Sequence, residues 1–113
     1  MQIIKEKIAV DVLRRMVQKM FGNLVKAVVD IEKEIMAIDG ELHADELAIL
    51  LENGSEQKNL WGVNIYPNKI GNDFIEFDSV INIRPYQENR SRGVENEQIR
   101  KKIIEVVNKL IEI

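Results

Sequence analysis

LVKAVVDIEKEIMAI, Leu24 to Ile38, decides how the chain is read. Val25, Ala27, Val29 and Ile31 alternate with Lys26 and Asp30, the period of two that a half-buried strand requires. The charged triplet Glu32, Lys33 and Glu34 breaks the pattern as a turn does, and Ile35 to Ile38 is a second apolar run. Two successive antiparallel strands are therefore expected here. Asp39-Gly40 follows them and suits a further tight turn. A third strand is expected to begin near Glu41 and to take in Leu47 to Leu51. The same stretch, ELHADELAILLENG (41–54), also fits a helix ended at Gly54, and strand is the favoured reading.

Outward from this centre, Val10, Leu13, Met16, Val17, Met20 and Phe21 recur at helical spacing between polar residues, so 10–21 reads as an amphipathic helix ended by Gly22-Asn23. Gln2 to Ile4 is a short strand or a lead-in. Downstream, LWGVNIYP (60–67) and FIEFDSVINIRP (74–85) are β-branched and aromatic runs, each stopped by proline, and they are expected to pair. In the second, Glu76, Asp78, Val80, Asn82 and Arg84 share the face opposite Ile75, Phe77, Ser79, Ile81 and Ile83. Asn96 is suited to cap a last helix, whose stripe is Ile99, Ile103, Val106, Val107 and Leu110. The expected fold is α+β: one domain spanning 1–113, an antiparallel meander of four to five strands, with an N-terminal and a C-terminal helix packed on one face.

The chain has 113 residues, 45% hydrophobic and 31% charged, which is the balance of a globular domain rather than a disordered segment. It has no cysteine, so disulfides, thiolate metal sites and thiol nucleophiles are excluded. Sixteen Lys and Arg against nineteen Asp and Glu give a net charge of −3, which argues against nucleic acid as a partner. No apolar run approaches the roughly 18 residues that cross a bilayer, and MQIIKEKIAVDVLRR lacks the apolar core of a signal peptide. A soluble, cytoplasmic protein with no membrane partner is expected.

In GELHADE (40–46), LWGVNIYP (60–67), INIRP (81–85) and NRSRGV (89–94) the chain resembles a family of short prokaryotic proteins filed as a domain of unknown function. The resemblance covers nearly the whole chain and implies no activity, cofactor or catalytic residue.

Three places hold residues with chemical potential. Asn64 and Tyr66 would neighbour Glu76, Asp78, Asn82 and Arg84 on a polar sheet face, which is either solvated or lines a shallow groove. His43 is the only histidine, and in an extended chain Glu41, His43 and Asp45 would share one side; His43 with Asp45 is the candidate pair for proton transfer. No metal site is assigned, because one imidazole and two carboxylates make a weak ligand set. The loop after Arg84 is the candidate anion site, built from Arg84, Asn89, Arg90, Ser91, Arg92 and Gly93 beside a helix start. Glu88, Glu95 and Glu97 compete for its arginines.

These observations favour a non-catalytic protein-interaction module over an anion- or phosphate-binding protein, or a phosphoester-acting enzyme, that uses the arginine loop and His43. Ile104, Ile111 and Ile113 widen the last helix's apolar stripe, which suits a homodimer. The sequence names neither a cofactor nor the partner.

Overall fold

The computed structural model describes residues 1–19 and 22–113. Leu24 to Ile38 folds as its pattern requires, into β3 (Val25–Asp30) and β4 (Ile35–Ile38), following β1 (Gln2–Ile4), β2 (Ile8–Ala9) and α1 (Val10–Gln18). The turn between β3 and β4 is held from within. Asp30 Oδ1 accepts the amides of Glu32 and Lys33, each at 2.9 Å, and Glu34 takes a left-handed φ of 56°. Then come α2 (His43–Glu52), β5 (Leu60–Ile65), β6 (Ile75–Glu76), α3 (Glu97–Leu110) and β7 (Ile111–Glu112). The fold class is α+β, with a five-stranded antiparallel sheet in the order β1-β4-β3-β5-β6.

Residues 41–54 correct the expected third strand, because the segment is the helix α2. Ala, Glu and Leu dominate it and favour helix, and Gly54, at φ 95°, ends it. Leu47 and Leu50, one turn apart, pack on Val28, Ala37 and Leu60 of the sheet. With a helix in place of that strand, β5 comes back beside β3, so the order is not that of a sequential meander. The other face carries α1 and α3 together. Leu13, Val17, Ile103, Val106, Val107 and Leu110 pack with Val25, Ala27, Val29, Trp61, Val63 and Ile65. Both sheet faces are thus covered, and the polar face expected to meet solvent lies partly under α2.

Residues 74–85 also depart from expectation, since only Ile75 and Glu76 pair with β5. After Asp78 the chain turns over the sheet. Gly62 admits it, because a β-carbon on Gly62 would stand 2.6 Å from Ser79 Cβ. The Asn82 side chain then does what a strand backbone would do. Its Oδ1 accepts the Gly62 amide at 2.8 Å and its Nδ2 donates to Gly62 O at 2.9 Å.

Asn96 caps α3 as expected, accepting the amides of Gln98 and Ile99. At its other end β7 pairs in parallel with β2, Ile8 against Ile111 and Ala9 against Glu112. Met20 and Phe21, assigned from sequence to the first helix, lie outside the described residues. Among the described residues no helix is long and apolar enough to cross a membrane.

Candidate functional site

The loop after β6 uses much of its polar capacity on itself. Arg84, 2% exposed, donates to the carbonyl of Gln57 at 2.6 Å and to that of Leu60, and its guanidinium lies 4.1 Å from the centre of the Trp61 ring. Burial pulls its pKa below the ordinary arginine value. Asn89, equally buried, donates from Nδ2 to the carbonyls of Asn82 and Gly93, both at 2.8 Å, and accepts the Glu95 amide on Oδ1. Arg84 and Asn89 were expected among the anion ligands; the structure instead engages both side chains in holding the loop, because each meets main-chain groups that burial would leave unpaired.

The amides of Arg90 and Ser91 converge as such a loop allows, but on the chain's own carboxylate: Glu95 Oε2 accepts them at 2.6 and 2.9 Å. Those two N–H groups hold the Glu95 carboxyl below the usual carboxylate range. Arg92 Nε donates to Asp78 Oδ1 at 2.6 Å on the surface. The exposed Arg90 side chain has no ion pair among the described residues. Gly93 lies against the strand that precedes the loop, where a β-carbon on it would be 3.5 Å from Phe77 O.

His43 opens α2, and the helix separates it from the side chains expected beside it. Asp45 and Glu41 are exposed, whereas His43 turns toward β5. The expected pairing of His43 with Asp45 presupposed an extended chain, in which i and i+2 share a side; on a helix they lie far apart around the axis. His43 Nε2 lies 2.8 Å from Val63 O, so Nε2 carries the proton and Nδ1 the lone pair. Burial lowers the His43 pKa, and the charges of Lys26, Asp78 and Arg92 act on it.

Beside His43 runs a polar strip. Asn64 Nδ2 donates to Glu76 Oε1 at 2.8 Å, which also accepts Tyr66 Oη–H at 3.1 Å, while Asn64 Oδ1 is buried without a partner. Glu46, one turn after His43, is fully buried. Its Oε2 accepts the Gly40 amide, and burial pushes its pKa up to about 9. Nothing in the sequence distinguishes Glu46 from the exposed acids around it; only the face of α2 on which it falls does so. Among the described residues no group of three or more His, Asp or Glu side chains is placed to hold a metal ion.

A third place is apolar. Phe74, Ile75 and Phe77 face Ile104 and Asn108 of α3 across a groove of about 560 Å³, with Ile113 at its rim. Tyr66 N donates to Phe74 O at 2.9 Å and Asn64 is paired with Glu76, so the main chain of residues 74 and 76 addresses β5. By the alternation of an antiparallel ladder, the N–H and C=O of Ile75 face away from it. β6 is an edge strand with no second neighbour among the described residues. Further along, Arg92 O accepts Ser79 N at 2.9 Å, so the loop's own chain closes the edge beyond Phe77. The sequence signal for this site was the widened stripe of Ile104 and Ile113; the open edge was not legible.

The model of a family described as Protein of unknown function (DUF5674) matches residues 2–110, and the chain belongs to that family. No curated protein and no solved structure matches it.

Proposed function

We propose that the chain is a non-catalytic protein-interaction module that takes an extended segment of a partner protein as a further strand on β6. One observation carries this reading: the outward N–H and C=O of Ile75 stand beside the groove between β6 and α3. Strand addition needs both parts, unpaired main-chain groups for affinity and pockets for alternate side chains for selectivity. The competing anion site is weakened by Glu95, which already occupies the amides of Arg90 and Ser91.

The test is a titration of ¹⁵N-labelled protein with peptides of alternating valine and threonine. Saturable shifts of the Ile75 and Phe77 amides, lost in Ile104→Lys, are expected. A second copy of the chain as the occupant would show instead as concentration-dependent shifts at the same amides without peptide. Shifts confined to other surfaces, or none, would overturn the reading.

A second reading, phosphate or phosphoester binding, rests on the charge of Arg92, which acts on the His43 ring together with that of Lys26. It predicts saturable, phosphate-induced shifts around His43 that vanish in His43→Ala.

A further inference from the structure

This inference rests on strand addition at β6 and concerns the side chain that the groove takes. The open edge is short. Phe74 N donates to Gly71 O at 3.2 Å in the turn before β6, and Arg92 O accepts Ser79 N beyond it, so the main chain left to a partner runs only from Ile75 to Phe77. A few neutral hydrogen bonds, each worth roughly fivefold in affinity, do not offset the freedom that two proteins lose on binding. Side-chain burial must supply the rest.

The register says which side chain that is. Ile75 packs its side chain against the core on the face that carries α3. The residue directly opposite it in an added antiparallel strand points to the same face, and so into the groove beside Ile104 and Ile113. These two are 38% and 76% exposed, apolar surface that the fold leaves uncovered. A space of about 560 Å³ between them and Phe77 suits an aromatic ring, which buries a large apolar area with few rotatable bonds.

The polar lining of the groove is uncharged. Asn72 and Asn108 supply it, and neither carboxamide makes a hydrogen bond among the described residues. Asn108 follows Ile104 by one helical turn, so both stand on the same face of α3. A charged side chain would lose its water there with no opposite charge in the lining. A phenol keeps an apolar body and brings a hydroxyl that both donates and accepts, matching the two ends of a carboxamide, whereas an indole only donates. We propose that the partner segment places a tyrosine opposite Ile75, its ring between β6 and α3 and its hydroxyl paired with Asn108, which makes Asn108 the residue that sets specificity.

The experiment compares valine–threonine peptides with tyrosine, phenylalanine or lysine at the centre, read by affinity and by the Ile75 amide shift. Both aromatic peptides are expected to bind more tightly than the lysine peptide, by roughly tenfold or more. Tyrosine should exceed phenylalanine by roughly fivefold, as one neutral hydrogen bond allows. Asn108 is exposed, so Asn108→Leu leaves the core intact, and in that variant the advantage of tyrosine over phenylalanine should vanish. Equal affinities of tyrosine and phenylalanine in the wild type, or a tyrosine preference that survives Asn108→Leu, would overturn the role of Asn108 and leave strand addition standing. A lysine peptide that binds as tightly as the others, each shifting Ile75, would overturn the aromatic anchor. No Ile75 shift with any peptide would overturn strand addition, and the inference with it.

Discussion

Glu46 and Gly40 are in contact at the seam between β4 and α2: Glu46 Oε2 accepts the Gly40 amide at 2.9 Å, and a β-carbon on Gly40 would stand 2.7 Å from Glu46 Cγ. Gly40→Ala must therefore displace the Glu46 stem or lift α2 from the sheet, at a cost of about 1–3 kcal/mol. In a Glu46→Ala background that obstacle is gone and the cost should fall sharply. Urea denaturation of the single and double variants measures the coupling. Equal costs in both backgrounds would count against this packing.

The same carboxyl sets an alkaline limb of stability. Its pKa is about 9 in the fold against the usual 4.5, raised first by burial, with Asp39 adding to the rise and Lys26 and the Gly40 amide opposing it. The folded state thus holds this proton more tightly. The Glu46 contribution is complete below pH 4.5 and is lost as pH climbs toward 9, at up to about 1.4 kcal/mol per pH unit. His43 runs the other way: its pKa is lowered, so its contribution is present above 6.5 and is lost as pH falls below that value. Between pH 6.5 and 9 the Glu46 slope stands clear of His43, and Glu46→Gln should flatten it. Denaturation midpoints across that window provide the check.

Arg84 holds the β5 edge rather than a ligand. Arg84→Met strands the carbonyls of Gln57 and Leu60 and removes the cation from the Trp61 ring, so a loss of about 2–4 kcal/mol is expected. Arg84→Lys should recover only part of it, because an ammonium cannot reproduce the planar fork. Thermal unfolding followed by Trp61 fluorescence reads both. Wild-type stability in Arg84→Lys would show that charge alone suffices.

Glu95→Ala frees the amides of Arg90 and Ser91, and weak phosphate binding should appear there. In the wild type at neutral pH the carboxylate is ionised and competes, its pKa being held low by those same amides. Its stabilising contribution is present above the usual carboxylate pKa and is lost as pH falls through the lowered folded value. A phosphate titration of both proteins, read at the two amides, decides the matter. Equal binding by wild type and variant would remove Glu95 from its assigned role.

Much of the frame was legible because it rests on local periods and caps. The alternation of Val25 to Ile31, the charged turn after it, and the Asn96 cap each state a structure within a few residues. The segment 41–54 was ambiguous because Leu47 to Leu51 is an unbroken apolar run. What decides it is the face formed by Val28, Ala37 and Leu60, which needs a covering layer. The alternation from Ile75 to Arg84 misled for a different reason. The Asn82 amide replaces main-chain pairing, and no periodicity announces that a side chain will pair as a strand does. Arg84 read as a ligand because its partners, Trp61 and the carbonyl of Leu60, are distant in sequence.

The short parallel pair of β2 with β7 makes the first helix depend on residues that follow α3 in the chain. At nine residues α1 is shorter than helices that persist alone in water, and the strand leading into it is anchored by Ile111 and Glu112. The docking of α1 against the sheet is thus completed from the far side of the chain, by α3 and the strand that follows it. Loosening β7 should therefore loosen α1 with it, the two elements opening as one unit.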